Sequence, residues 1–493
     1  MQKIIALALL LVIVTAGHAA AQNAAISPIR KVVDLKIGDT AHVTLDDGKS
    51  ASVTLVGLVE LRDEFRGAVR EARVTVEVNG ESATLVSATY NLPETVGGVR
   101  IDCPVTRGYY SNTTRDAWGL SEGTDARLRL WPGNSPFIRR GTFAYPVRYR
   151  WFASNTQMSN EPVFVDGGEV AANKRIYYHD GLDIGGAEGM VNVIAATDGL
   201  VVSKGTEVLE DHKENTPVAE RYDVIYLLDG RGWYYRYSHL KSFETNVIVG
   251  ERVTMGQKLG EIGKEGGSGG WTHLHFGIKA MQPSGKWGAE EGYAFFWQSY
   301  LERFKPGIIA VARPHKVVAA GVPVVLDGSK SRSMAGKIVS YEWLLEDGTQ
   351  RGETVERTYP KAGFYSEILR VADDRGNSDY DFASVIVIDR KNPDMAIPGI
   401  HAVYSPTFGI HAGDPVTFKT RVFNSDSGGE TWDFGDGSPT VRTVSHPGDQ
   451  HLPDGYAVTV HRFEKPGCYI VHVTHTAANG LTAEAHLDVP VKE

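Results

Sequence analysis

Short segments of alternating apolar and polar residues, separated by tight turns, dominate this sequence and leave little of it for helices. HVTLDDGKSASVTLVGL predicts a hairpin that turns at Asp47-Gly48, and VTVEVNGESATLV predicts a second that turns at Asn79-Gly80. Both dipeptides readily adopt the backbone angles of two-residue hairpin turns. NVIAATDGLVVSKG, YDVIYLLDGRGWYYRYSHL and THLHFGIKA predict further strands, and YAFFWQSYLER predicts one helix over residues 293–303. We therefore expect a mainly β protein.

The chain is too long for one domain, and its last third contains an internal repeat. It has 493 residues, against ~100–200 for an ordinary domain. YEWLLEDGT followed by AGFYSEILRV, and TWDFGDGSP followed by KPGCYIVHVT, place a tryptophan strand, an Asp-Gly turn and a glycine-aromatic strand in the same order. A period of about ninety residues exceeds the ~20–50 of solenoid repeats and suits tandem β-sandwiches.

The first 21 residues have the pattern of a secretory signal peptide. Lys3 precedes an apolar stretch from Ile4 to Ala16, and small residues follow before Gln22. The stretch is shorter than the ~20 apolar residues that span a bilayer, so a cleaved signal is favoured over a membrane anchor. We expect a protein of the periplasm or cell envelope, or a secreted one, without a transmembrane anchor.

These patterns predict a signal peptide (1–21), a β-rich N-terminal domain (22–170), a central domain (171–305) and two β-sandwiches (306–392 and 393–493). The formal charge of −9 argues against a nucleic-acid partner, which normally requires a basic surface. The content of 42% hydrophobic and 10% aromatic residues excludes a disordered chain. Cys103 and Cys468 fall in different predicted domains, so a bridge and two free thiols both stay open.

Five residues of the central domain have side chains suited to zinc chemistry: His179, Asp183, His239, His273 and His275. In a strand, residues i and i+2 point to one face, so the two histidines of THLHF would enter one space. Each residue alone could be a solvated or structural side chain. Their occurrence together beside glycines favours a site in which three residues bind zinc and activate a water. The spacing does not show which three.

The central domain closely resembles the lysostaphin/LytM-type zinc metallopeptidases. The resemblance rests on five segments that occur in the family's order, namely HDGLDIG, VIAATDGLVV, YYRYSHL, VIVGERVTMGQKLGEIG and GGSGGWTHLHFGI. The match covers about 130 residues of the chain, and several motifs in the correct order form a specific signal. Membership implies a β-sheet core with a zinc ion in a groove, and endopeptidase action on cross-bridges or stem peptides of bacterial cell walls.

The resemblance also divides the five residues. It implies that His179, Asp183 and His275 bind one Zn²⁺. His239 and His273 would then flank the water and the scissile carbonyl, where they deprotonate water, stabilise the oxyanion or protonate the leaving amine. The family often has proline before HLH and glutamate after HLHF, where this chain has Trp271-Thr272 and Gly277. Neither position is a ligand, so these departures bear on substrate preference rather than on the metal.

The C-terminal repeats resemble the polycystic-kidney-disease (PKD) type of β-sandwich. WDFGDGSP matches the family signature well, while LDGSKSRS, YEWLLEDG and AGFYSEILRVADDRGN match more loosely. Such modules imply spacing, or contacts with polysaccharide or protein. Asp433 and Asp436 could bind calcium or could only fix the turn.

We therefore expect an exported zinc metalloendopeptidase that hydrolyses peptide bonds, with the stem peptides or cross-bridges of peptidoglycan as its expected substrates. The alternative is a catalytically inactive protein that binds the cell wall or serves regulation or adhesion. Lost ligands would mark such a protein, whereas all five residues are present here.

Overall fold

A computed structural model describes residues 25–110, 116–164, 176–425, 427, 429–446 and 455–493 of the chain. The described residues form many short strands and a single α-helix, which confirms the mainly β prediction. The predicted signal peptide lies outside the described residues. So does the predicted boundary at residue 170, within the segment 165–175.

The N-terminal module consists of two four-stranded antiparallel sheets around one apolar core. Both predicted hairpins are confirmed, because β2 (Thr40–Thr44) pairs with β3 (Ser50–Arg62) across Asp47-Gly48. Likewise, β4 (Val69–Val78) pairs with β5 (Glu81–Val86) across Asn79-Gly80. The sheets have the strand orders β1-β8-β7-β6 and β2-β3-β4-β5. Its strands are β1 (Lys31–Leu35), β2 (Thr40–Thr44), β3 (Ser50–Arg62), β4 (Val69–Val78), β5 (Glu81–Val86), β6 (Glu94–Val96), β7 (Val99–Thr106) and β8 (Ala126–Pro132).

The central module is built on a nine-stranded sheet of order β15-β14-β16-β17-β21-β12-β9, in which β19 also pairs with β14 and β22 also pairs with β21. A smaller sheet, β13-β20-β18, and the pair β10-β11 accompany it. The strands are β9 (Thr156–Gln157), β10 (Pro162–Phe164), β11 (Ile176–Tyr178), β12 (Leu182–Gly185), β13 (Asn192–Ile194), β14 (Gly199–Lys204), β15 (Glu207–Val208), β16 (Ile225–Leu228), β17 (Tyr234–Ser238), β18 (Leu240–Phe243), β19 (Arg252–Val253), β20 (Lys258–Ile262), β21 (His273–Met281) and β22 (Trp287–Ala289).

The helix α1 (Tyr293–Phe304) packs its aromatic face on this sheet, and the predicted helix over 293–303 is confirmed. Phe296 contacts Phe276 of β21 with ring centroids 5.1 Å apart. The helix ends at Phe304, and the next residue, Lys305, caps it with a left-handed φ of 48° that stops the helical repeat. This aromatic packing supports β21, the strand that carries HLH, through its residue Phe276.

Two β-sandwich modules follow, and one continuous sheet joins them where β30 and β38 run parallel. Trp343 and Trp432, the tryptophans of the internal repeat, are both fully buried. The first module comprises β23 (Ile308–Ile309), β24 (Lys316–Ala319), β25 (Pro323–Asp327), β26 (Arg332–Ser333), β27 (Ile338–Leu345), β28 (Gly348–Arg351), β29 (Thr354–Thr358), β30 (Gly363–Asp373) and β31 (Ser378–Ile388). The second comprises β32 (Gly399–Ser405), β33 (Pro415–Phe423), β34 (Glu430–Asp433), β35 (Val441–Thr443), β36 (Ala457–Arg462), β37 (Gly467–Thr476) and β38 (Thr482–Val491).

The structure shows the state of the two cysteines and the turn contacts of Asp433 and Asp436. Cys103 and Cys468 are free thiols rather than a bridge. Asp433 and Asp436 accept hydrogen bonds from the backbone amides of Gly435 and Ser438, at 2.9 and 3.0 Å, as turn-forming aspartates do. Within the described residues, no helix has the length and apolar character needed to cross a membrane.

A buried ionic cluster connects the N-terminal and central modules. Arg129 of β8 lies 2.5 Å from Asp102, 2.7 Å from Glu290 and 3.3 Å from Glu291, and its side chain is 1% exposed. Arg30 adds a second guanidinium to Glu290 at 2.5 Å. The two glutamates immediately precede α1, so the cluster connects the N-terminal sheet to the element that supports β21.

Arg129→Ala is expected to destabilise the chain by about 3–5 kcal/mol, because it leaves buried carboxylates without their cation. Urea unfolding followed by circular dichroism measures the effect as a lower midpoint. Arg73→Ala is the matched control, since Arg73 pairs with Glu71 at 2.6 Å but is 52% exposed. Exposed pairs contribute only about 0–1 kcal/mol. Equal midpoints for the two variants would contradict a stabilising role of the cluster.

Candidate metal centre

Two neighbouring strands of the central sheet bring three of the predicted site residues to one face. β12 and β21 pair in a register that sets Asp183 opposite His275 and Gly185 opposite His273. Residues opposite each other in an antiparallel pair share a face, and so do alternate residues of one strand. Asp183, His273 and His275 therefore project into the same space.

His179 reaches this space from the turn that precedes β12. A Cβ at Gly181 would lie only 2.8 Å from Cε1 of His275, so glycine is required for this close approach. The Nδ1 atom of His179 lies 3.3 Å from the carbonyl oxygen of Met158. A carbonyl can only accept, so this contact places the proton on Nδ1 and leaves Nε2 directed at the site.

Three atoms with metal-binding lone pairs converge there. His179 Nε2 lies 3.0 Å from His275 Nδ1 and 3.1 Å from Asp183 Oδ1, and His275 Nδ1 lies 2.9 Å from the same oxygen. In the described part of the chain, this trio is the one group of three such side chains within 4.8 Å of one another. The trio predicted from the resemblance is therefore brought together.

The donor set and its dimensions fit a zinc ion. A tetrahedral ion with bonds of ~2.0–2.1 Å places its ligand atoms roughly 3.3 Å apart, close to the separations found here. Two imidazole nitrogens and one carboxylate oxygen leave a fourth position for water or substrate, as in catalytic zinc sites. The three side chains are buried, with His275 the most exposed at 9%.

Burial and the neighbouring charges have opposing effects on the pKa values of Asp183, His273 and His275. Burial raises the pKa of Asp183, but the imidazoles of His179 and His273 outweigh it and hold that pKa well below its ordinary value. Burial lowers the pKa of His275 to about 4 and that of His273 well below its ordinary value. Both of these rings are therefore neutral at physiological pH, the form in which imidazole binds metals and accepts protons.

The other two predicted histidines lie together beside the trio. The rings of His239 and His273 are 4.6 Å apart, and that of His239 is 6.1 Å from His275. His239 Nδ1 lies 2.6 Å from the carbonyl oxygen of Glu265, and His273 Nδ1 lies 3.0 Å from that of Trp271. Both rings thus donate from Nδ1 to the backbone and keep Nε2 available for chemistry.

His239 is further fixed by an aspartate that the sequence analysis did not identify. Its backbone amide donates to Asp223 Oδ2 at 2.8 Å, and its φ of 67° is left-handed. Arg221 forms an ion pair with the same carboxylate. Burial alone would raise the pKa of Asp223, but hydrogen bonds from His239 and Arg221 outweigh this effect. They hold the pKa below its ordinary value, so the carboxylate is charged. No local pattern in RYDVIYLL marked Asp223 as a partner of a residue sixteen positions later.

Trp271, the position at which the chain departs from the resembling family, stacks on His273. The two rings are 3.8 Å apart and 15° from parallel, and the carbonyl of Trp271 accepts from Nδ1 of the same histidine. Trp271 therefore orients His273 by its ring and by its backbone. The structure brings all five predicted side chains into one site, and the sequence analysis missed Met158, Glu265 and Asp223 as their partners.

Comparison with known protein families gives three matches along the chain. The model of peptidase family M23 matches residues 177–286. Models of the PKD domain match residues 306–387 and residues 399–491. The first match includes all five site residues, and the other two include the two β-sandwich modules.

Three solved structures that are similar to this chain come from two bacterial proteins, lysostaphin and Csd3. The catalytic domain of the antimicrobial peptidase lysostaphin from Staphylococcus simulans is 23% identical over 29% of this chain and 92% of that chain, with a TM-score of 0.21. Lysostaphin itself is 17% identical over 47% and 89%, with a TM-score of 0.22. Helicobacter pylori Csd3 is 13% identical over 50% and 82%, with a TM-score of 0.22.

Proposed function

This chain carries a peptidase family M23 domain followed by two PKD domains, and from this we propose that it is an exported zinc metalloendopeptidase that cleaves peptidoglycan peptides. The observation that carries the proposal is the convergence of His179, Asp183 and His275 beside two further imidazoles. Stem peptides and cross-bridges are the proposed substrates, because the sequence motifs resemble those of the lysostaphin/LytM-type metallopeptidases. The signal pattern in residues 1–21 supports export.

In this proposal His179, Asp183 and His275 hold the zinc ion. A zinc ion bound there would act as a Lewis acid, which lowers the pKa of a water molecule and polarises the scissile carbonyl. The contact of His179 Nδ1 with the Met158 carbonyl fixes the orientation of one ligand. The cross-strand register of Asp183 and His275 fixes the other two relative to each other.

His239 and His273 are proposed to handle protons at the reacting atoms. Each donates Nδ1–H to a backbone carbonyl, so each has an Nε2 lone pair that can take a proton from the attacking water. The protonated ring can then stabilise the oxyanion or return the proton to the leaving amine. Two adjacent imidazoles allow one ring to accept a proton while the other stabilises developing charge.

The binding-only alternative is less well supported. A protein that only binds the cell wall has no need of three converging ligands or of two further histidines with fixed Nδ1 protons. The PKD domains would contribute contacts with polysaccharide or protein in either case, so they do not separate the two functions.

Digestion of purified peptidoglycan by residues 22–493 tests the proposal. We expect soluble fragments with new peptide termini, detected by mass spectrometry, because the site has the donors for zinc-dependent hydrolysis. A chelator should abolish their release, and added zinc should restore it. Cleavage that resists the chelator would contradict the metal dependence. Binding to the insoluble wall without any release would favour the alternative.

A further inference from the structure

The second PKD domain packs directly against the segment that precedes HLH. The backbone amide of Thr272 donates to the hydroxyl of Tyr456 at 2.9 Å, across the boundary between the two domains. Arg421 donates to the carbonyl oxygen of Gly270 at 3.2 Å. Lys419 adds a bond of 3.0 Å to the carbonyl oxygen of Glu188. Side chains from this PKD domain thus contact both flanks of Trp271 through its backbone neighbours.

The Tyr456 hydroxyl takes part in two hydrogen bonds. It accepts from Thr272 and lies 2.7 Å from Nδ1 of His401. Burial lowers the pKa of His401 to about 3, so its ring is neutral and its Nδ1 can accept a hydrogen bond from the Tyr456 hydroxyl. Thr272 is fully buried, and Tyr456 is 7% exposed. A buried amide that loses its acceptor here could not be satisfied by bulk water.

His401 also touches Trp271 itself. The indole ring is packed edge-to-face against His401 at 5.2 Å while its face stacks on His273 at 3.8 Å. A Cβ at Gly185 would lie 3.2 Å from Nε2 of His401, so this histidine also borders the strand that carries Asp183. The PKD domain therefore contacts the residue that orients His273 and the end of a ligand-bearing strand.

We propose that the second PKD domain is a structural part of the peptidase site, in which Tyr456 is a positioning residue for His273. Tyr456, supported by His401, holds the Gly270–Thr272 segment in place. That segment places the indole of Trp271 against His273 and presents the carbonyl that fixes the Nδ1 proton of His273. The inference rests on the proposed function for its catalytic consequence, whereas the hold on the segment is independent of it.

Tyr456→Phe in the full chain tests the inference, because it removes the hydroxyl and keeps the ring. Amide hydrogen exchange of the metal-free protein reports on the hold, and exchange in residues 264–276 should become about fivefold to tenfold faster, as the loss of one buried hydrogen bond predicts. With zinc and a peptide substrate, kcat should fall by about fivefold to tenfold. KM and the zinc content should stay unchanged, because neither the ligands nor the outer surface of the site is altered.

Tyr469→Phe is the matched control. Its hydroxyl donates to the carbonyl oxygen of Lys465 at 2.8 Å within the same PKD domain and has no bond to the peptidase domain among the described residues. This variant should exchange and turn over like the wild type. A double-mutant cycle adds Trp271→Ala: the part of the Tyr456→Phe effect that passes through the indole should disappear in that background, and the part that passes through the Trp271 carbonyl should remain.

Wild-type exchange in residues 264–276 of Tyr456→Phe would overturn the inference, whatever the activity. Wild-type kcat in that variant, with an active parent enzyme, would overturn it equally. An inactive parent would instead contradict the proposed function, and the exchange measurement would still decide whether the PKD domain holds the segment.

Discussion

Replacing Asp183 by alanine is expected to eliminate both zinc binding and peptide hydrolysis. The Asp183 carboxylate lies 2.9 Å from His275 Nδ1 and 3.1 Å from His179 Nε2, so its loss removes one of the three converging ligand atoms. Two neutral imidazoles would remain where a catalytic zinc site normally has three protein ligands. Since the loss of even an outer partner of a ligand costs ~10–100-fold in metal affinity, the loss of a ligand should leave the protein free of metal at micromolar zinc.

Metal content and thermal stability measure this without reference to any substrate. The wild type should contain one zinc per chain, and its unfolding temperature should rise when zinc is added. Binding to the folded state alone stabilises by about 2.7 kcal/mol at a ligand concentration of 100 Kd. Asp183→Ala should contain no zinc and show no rise, and its release of peptidoglycan fragments should equal the buffer blank.

Asp180→Asn is the matched control for this variant. Asp180 is also a buried carboxylate of the HDGLD stretch, but its Oδ2 accepts from Lys279 at 2.6 Å rather than facing the trio. This variant should keep its zinc. Full zinc content in Asp183→Ala would contradict the ligand assignment, and loss of zinc in both variants would indicate damage to the stretch rather than to a ligand.

The sequence predicts the local geometry of this site well. Alternation places His273 and His275 on one face of a strand, and glycine-rich neighbours indicate close packing. The structure supplies the reason at Gly181, where any Cβ would collide with the ring of His275. The hairpins at Asp47-Gly48 and Asn79-Gly80 and the helix that begins at Tyr293 are likewise local features, and all three are confirmed.

The long-range partners could not be predicted in the same way. The pairing of Asp183 with His275 depends on the register of two strands that are 92 residues apart, and no local spacing determines such a register. Only the resemblance to a known family suggested the trio. The partners of the ligands and of the flanking histidines are backbone carbonyls, such as that of Met158, and a carbonyl is present at every residue whatever the sequence.

The contact between the second PKD domain and the peptidase domain shows this most clearly. Tyr456 is separated from Thr272 by 184 positions, and its sequence neighbourhood carries no motif of the peptidase family. The resemblance suggested only spacing or adhesion for this domain. Trp271 departs from the family pattern, and its indole both stacks on His273 and makes an edge-to-face contact with His401 of the PKD domain.

His273→Ala is expected to lower kcat by about 10²–10⁴-fold, the usual contribution of a positioned acid–base group, while the zinc content stays at one per chain. Its Nε2 lies 3.4 Å from Asp183 Oδ2, next to the trio but outside the converging atoms. KM should change little, because the proposed role of the ring is proton transfer during reaction rather than binding of the substrate. Steady-state kinetics on a defined peptide and zinc analysis of the same sample measure both quantities.

His239→Ala should behave in the same manner, since its Nδ1 contact with Glu265 places the free Nε2 in the same space. His42→Ala, an exposed histidine on β2, is the control and should retain wild-type kcat. If His239→Ala and His273→Ala both hydrolysed the peptide at the wild-type rate, neither ring could be the acid or base. If either variant lost its zinc, that histidine would have to be counted among the ligands, and the trio as assigned would be wrong. The two measurements together therefore separate residues that hold the metal from residues that transfer the proton.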